Sequence, residues 1–279
     1  MPVRSGRSGG RLVVGLIVAV IAVVSYFAST TVEENPVTGE AQRVSMNVDQ
    51  EIALGLQAQP QMAAQHGGEY PSPEDQQALE ALGERIVRAS EAGTTPYAGH
   101  FDFHLLADPQ TINAFALPGG QVSVTAGLVE ALQPTEGELA GILAHEIAHV
   151  VGRHSAEQMA KAQLTQGLAS AAAIAAYDPN QPGSAAQSQI AMLIGQALTT
   201  RYSREDELEA DALGVQFMAD AGYDPRAMAS VMQKLGQAAG GARGPEFLST
   251  HPNPDNRVAR IEEAIADRFP DGVPAGLTR

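Results

Sequence analysis

The stretch from Glu136 to His154 constrains this chain most: E-G-E-L-A-G-I-L-A-H-E-I-A-H-V-V-G-R-H. It contains H-E-x-x-H. On a helix, His145 and His149 lie one turn apart and leave the same face. Two imidazoles converging there suit zinc, which bonds histidine nitrogen at about 2.0–2.1 Å. Glu146 points toward the same cleft. It is placed to take a proton from a metal-bound water and return it to a leaving amine. Leu139, Ile142, Leu143, Ile147, Val150 and Val151 make the helix apolar, and Glu146 is the one charge between Glu138 and Arg153. A carboxylate alone in such a run needs a reason, because burying an unpaired charge is costly.

A catalytic zinc keeps three protein ligands and one open position. The longer H-E-x-x-H-x-x-G-x-x-H pattern would need a third histidine at position 155. Ser155 stands there, and His154 comes one residue early. If the helix runs on unbroken, His154 is rotated about 140° from His149, which predicts a surface histidine. A later carboxylate serves better. In S-R-E-D-E-L-E-A-D at 203–211, Glu207 and Asp211 share one helix face, and Ala210 leaves room for close packing. In this reading Glu207 binds zinc. Asp211 accepts the second ring N–H of a zinc histidine and so sets its tautomer. Glu205, Asp206 and Glu209 are expected to form a solvated acidic face.

The rest of the chain supplies a scaffold. Arg4, Arg7 and Arg11 precede an uncharged, mostly apolar run from Leu12 to Ala28. A basic start and a membrane-competent run make residues 1–28 an anchor, or else a cleaved signal segment. In either case the arginines stay cytoplasmic and the residues beyond the apolar run are exported. Residues 29–45 read as a linker, 46–268 as one catalytic domain and 269–279 as a tail. A capped helix begins at Asn47, another spans Pro73 to Ala92, and Gln61 to Pro73 is a loop. Strand-like pieces come next at 101–106 and at 112–128, the latter folding back at Pro118-Gly119-Gly120. After Gly127 the chain reads as helical, including apolar pieces at 169–176 and 190–198 that form packing helices or a flap over the site. The order gives an α+β fold, mostly helical, with a small sheet before the H-E-x-x-H helix. With 17 Lys+Arg against 32 Asp+Glu, the surface has no footprint for nucleic acid. The chain has no cysteine, which excludes disulfides, thiolate ligands and a cysteine nucleophile.

Six segments together carry a family resemblance: H-E-I-A-H at 145–149, E-L-E-A-D at 207–211, N-P-V-T-G-E at 35–40 with Q-E-I-A-L-G at 50–55, I-N-A-F-A-L-P-G-G at 112–120, and S-T-H-P-N-P-D-N-R at 249–257. The chain resembles the HtpX-type and CAAX-prenyl-endopeptidase zinc metalloproteases, peptidase family M48, of the gluzincin type. Its single N-terminal apolar segment resembles the exported single-anchor bacterial branch. The resemblance implies a zincin-like domain with one zinc ion per chain on His145, His149 and Glu207, and Glu146 as base. It implies that His251 sits near the metal, either as a reversible fourth ligand or as a donor to a developing oxyanion. The implied activity is an endopeptidase acting on misfolded or misassembled cell-envelope proteins, anchored in the bacterial inner membrane and facing the periplasm. The segment Asn113-Ala-Phe-Ala is expected at a sheet edge where a substrate strand could pair, and Asn113 either binds substrate backbone or caps a turn. The rival reading is a membrane-tethered chaperone or assembly factor whose zinc is structural or gated shut. A zinc amidase or esterase is a third.

Overall fold

The computed structural model describes residues 6–176, 202–240, 244–252 and 256–279. The apolar piece expected at 190–198 lies outside these residues. In order, the elements begin with α1 (Gly6–Ser29), β1 (Thr31–Glu34), β2 (Ala41–Val44), α2 (Val48–Gln65) and α3 (Pro73–Ala89). Then come β3 (Asp102–Leu106), β4 (Ala114–Ala116), β5 (Gln121–Thr125), α4 (Ala126–Leu132), α5 (Glu136–Val151) and α6 (His154–Ala176). The chain closes with α7 (Arg204–Asp220), α8 (Arg226–Ala238), α9 (Phe247–Thr250) and α10 (Arg257–Arg268). The chain is α+β and mostly helical, as its order of patterns predicts.

The backbone clusters into two units. One comprises Met1–Glu34, Glu40–Met46 and Ala156–Arg201. Within α1, Leu12–Ser29 has a mean hydropathy of 2.6 and is long and apolar enough to cross a membrane. Residues 29–45, expected as a linker, instead hold an antiparallel hairpin in which Thr31 faces Val44 and Glu34 faces Ala41. Asn35 explains the turn. Its side-chain oxygen accepts the backbone N–H groups of Val37 and Thr38, a local alternative to a flexible tether.

The other unit comprises Asn35–Gly39, Asn47–Ser155 and Tyr202–Arg279. One helix starts at the predicted cap Asn47, and two more start at capping boxes. Asn47 and Gln50 form a reciprocal capping box on α2, Thr135 and Glu138 one on α5, and Ser203 and Asp206 one on α7. Helix α2 continues through Pro60 to Gln65, beyond the loop expected from Gln61, and the positive-φ pair Gly67-Gly68 ends it. The sheet has the order β3–β5–β4, with β3 parallel and β4 antiparallel to β5. Strand β4 is therefore an edge strand among the described residues. Helix α5 lies in the middle, packed against α7, α8, α3 and β4. Its residues from Ala140 to Val151 are all buried, so each Leu, Ile or Val there contributes roughly 1.5–3 kcal/mol of apolar burial.

Helix α5 does not run on past Val151. Gly152 closes it, Arg153 adopts φ +56°, and α6 starts afresh at His154. Arg153 is held in this left-handed conformation by Glu51 of α2, whose carboxylate takes its Nε at 3.0 Å and Nη2 at 2.6 Å. Tyr97 donates its hydroxyl to the other oxygen of Glu51 at 2.9 Å. The turn swings His154 back toward His149.

Candidate metal centre

Three elements converge on one buried point. Helix α5 supplies His145, Glu146 and His149, α7 supplies Glu207, and the end of α9 supplies His251. All five side chains are at most 1% exposed. His145 Nε2 stands 3.0 Å from His149 Nε2 and 3.3 Å from His251 Nδ1. Glu207 lies 3.5 Å from His145 Nε2, 3.4 Å from His149 Nε2 and 3.0 Å from His251 Nδ1. One donor atom from each of these four residues falls within 4.8 Å of all the others.

This donor set fits a metal ion. Two ligands about 2.1 Å from a tetrahedral ion stand roughly 3.4 Å apart, close to the separations here. Three imidazole nitrogens and a carboxylate turned toward one point match the donor types that zinc takes. Glu146 adds a second sign. Neither of its oxygens has a hydrogen-bond partner among the described residues, and Oε1 is 3.5 Å from His251 Nε2. A carboxylate so deeply buried needs compensation, which a cation and its water would supply.

The surrounding charges set protonation. Asp211 sits 2.9 Å from His145 Nδ1, so the ring presents Nε2 to the cluster. Burial opposes a charge on His145, but hydrogen bonds to Asp211 and Glu207 outweigh it and push its pKa up to about 9. Burial holds His149 well below the usual histidine range. Burial also works against ionisation of Glu207, yet His251, His145 and His149 keep its carboxyl well below normal. Arg257, in the first turn of α10, bridges the acids. Its Nε and Nη2 reach Asp211 at 2.7 and 2.9 Å, and Nη1 reaches Glu207 at 3.0 Å. Aromatic faces pin the rings: Tyr202 stacks on His149 at 4.0 Å, and Phe247 on His251 at 4.3 Å between ring centres.

The structure thus gathers His145, Glu146, His149, Glu207, Asp211 and His251. Asn113 forms no hydrogen bond with this group among the described residues. It immediately precedes β4, 3% exposed, with its side-chain nitrogen 3.5 Å from Glu246 and its side-chain oxygen without a hydrogen-bond partner among the described residues. Two expectations fail. His154 is not on the surface: it is 1% exposed and touches His149. The acidic face of α7 is not uniformly solvated, since Asp206 is buried in its capping box and Glu209 meets His154. Sequence reasoning also left Arg257 without a role. A signal existed, because a cation in the first turn opposes the helix dipole and implies nearby acids.

Residues 73–265 match the model of peptidase family M48. The chain is 36% identical over 230 residues to the beta-barrel assembly-enhancing protease of Yersinia pestis, covering 80% of this chain and 46% of that protein. Against the protein of the same name in Escherichia coli it is 36% identical over 188 residues, or 66% of this chain and 37% of that one. It is 35% identical over 168 residues to the mitochondrial metalloendopeptidase OMA1 of Schizosaccharomyces pombe, covering 60% and 47%. The chain therefore spans about half the length, or less, of these relatives.

Proposed function

The chain belongs to peptidase family M48, and from that premise we propose that it is a zinc-dependent endopeptidase cleaving misfolded or misassembled proteins of the bacterial cell envelope. The observation that carries this reading is Glu146, buried without a hydrogen-bond partner among the described residues, beside a cluster of three histidines and a glutamate. His145 and His149, through Nε2, and Glu207, through its carboxylate, would hold the ion. A zinc ion bound there would supply Lewis acidity toward a water and a scissile carbonyl. Glu146 accepts the proton of the attacking water and passes it to the leaving amine. Asp211 keeps a hydrogen on His145 Nδ1, and Arg257 holds Asp211 and Glu207 in place.

Edge strand β4 offers its free backbone to a substrate in extended form, giving affinity with little sequence preference. Asn113 binds the backbone of that substrate; its unpartnered oxygen supports this over a turn-capping role. The catalytic domain spans 46–268, anchored by α1 in the inner membrane and facing the periplasm. Removal of α1 as a signal segment is the alternative. The words beta-barrel assembly in the names of the bacterial relatives support an envelope substrate.

His251 bears on a second reading. Its Nδ1 lies among the ligand atoms, which supports a fourth ligand that closes the open position. A tethered assembly factor with a gated zinc would use the same contact. One comparison separates these readings. The zinc-loaded full-length chain in detergent is expected to cleave an unfolded protein such as casein, and Glu146→Gln to lose about 100-fold or more while keeping its zinc. Equal cleavage by both proteins would sink the assignment of Glu146. His251→Ala is expected to cleave faster than wild type if His251 closes the site, and slower if it serves the oxyanion.

A further inference from the structure

One buried histidine plays no part in the mechanism above. His154 Nδ1 stands 2.8 Å from Nδ1 of His149, and His154 Nε2 stands 3.0 Å from Oε2 of Glu209. We propose that His154 and Glu209 are positioning residues that hold His149 in its metal-binding tautomer. The inference rests on the reading of His149 as a zinc ligand.

The hydrogens can be assigned by elimination. His149 turns Nε2 to the cluster, 3.0 Å from His145 Nε2 and 3.4 Å from Glu207. That nitrogen must offer a lone pair, so the ring hydrogen sits on Nδ1. The partner of that N–H is His154 Nδ1, which must then be the bare nitrogen. The hydrogen of His154 is left on Nε2, where Glu209 accepts it. The chain Glu209–His154–His149 carries one hydrogen per link. The two histidines of the motif are thus oriented differently. His145 leans directly on the carboxylate of Asp211, whereas His149 reaches a carboxylate through a second imidazole. Orientation of this kind raises ligand basicity and fixes the ring.

The backbone is shaped for this contact. A Cβ on Gly152 would come within 2.5 Å of His154 Nε2, so a side chain there would displace the ring. Arg153, held at φ +56° by Glu51, supplies the reversal that brings His154 under His149. Tyr202 stacks on His149, leaving the ring little freedom except in its plane, which is the freedom a hydrogen bond at Nδ1 removes.

The test is zinc affinity of the full-length chain in detergent, by competition with a chromophoric chelator. It compares wild type, His154→Phe, His154→Gln and Glu209→Leu. His154→Phe fills the space without an acceptor and is expected to weaken zinc binding about 10–100-fold. His154→Gln, whose amide oxygen can accept from His149, is expected to recover most of that loss. Nitrogen NMR of histidine-labelled, zinc-loaded wild type is expected to find the hydrogen of His154 on Nε2 and that of His149 on Nδ1. Wild-type affinity in His154→Phe, or a hydrogen on Nδ1 of His154, overturns the proposal. If His154→Phe fails to fold by circular dichroism, Glu209→Leu decides, since it leaves both histidines in place. Unchanged affinity there also overturns the relay. A wild-type chain that takes up no zinc overturns the metal reading and the relay together.

Discussion

At the scale of single residues, the site is a problem of buried charge. Glu207, Asp211 and Arg257 are all out of water, and one cation serves two carboxylates. Asp211 is shared by Arg257 and His145. Burial opposes its ionisation, yet the guanidinium of Arg257 and then His145 keep its pKa below the usual range. Removing the cation leaves two buried carboxylates without their shared partner, a change that typically costs about 3–5 kcal/mol. Arg257→Met is therefore expected to lower the melting temperature sharply in the metal-free chain. Zinc is expected to restore part of the loss, because the ion replaces positive charge beside Glu207. A variant that melts with the wild type in the absence of metal would show that Arg257 is dispensable to this balance.

At the scale of elements, spacing along a helix carried far and failed at one joint. The i, i+4 spacing of His145 with His149 and of Glu207 with Asp211 needs only helical geometry, so those pairs were legible from the residues. The joint at Gly152-Arg153 was not. Good helix formers after Ser155 predict continuation, but a buried ion pair between Arg153 and Glu51, 102 positions away in the chain, outweighs that local preference. The hairpin at 31–44 was missed for a related reason: its strands are polar and short, and only their pairing defines them. Close packing between elements yields a further prediction. A Cβ on Gly55 of α2 would meet the carbonyl oxygen of Pro118 at 2.0 Å, at the turn between β4 and β5. Neither backbone can give way cheaply. Gly55→Ala is expected to destabilise the fold by about 1–3 kcal/mol through overpacking, read as an earlier midpoint in urea. An unchanged midpoint would mean that α2 and the sheet are loosely joined.

At the scale of the molecule, the acidic composition of the chain conceals carboxylates that the fold needs ionised. The guanidinium of Arg226 lowers the pKa of Asp224 to about 2; burial works against this, and Arg279 adds to it. Burial opposes ionisation of Asp108, but hydrogen bonds from Thr111 and His66 bring it to about 2 as well. Both groups have a reference value of 3.8 when unfolded. Folded values below unfolded ones mean that the unfolded chain binds protons more readily, so stability is full above 3.8 and is lost as pH falls toward about 2. Melting temperatures measured from about pH 5 down to about pH 2 are expected to fall across this window, and less steeply in Asp224→Asn. A flat profile would show that these carboxylates do not govern acid stability. The H-E-x-x-H helix, the glutamate on a later helix, the apolar N-terminal run and the cap at Asn47 came from residue order, because each depends on neighbours within a turn or two. The place of Arg257 between two acids and the turn of His154 onto His149 came only from packing, which also gave the contacts of His251 that the resemblance left as near the metal. Their partners lie 44 to 106 positions apart in the chain, apart from the 5 separating His149 from His154. No local pattern records which distant charges will share one water-free space.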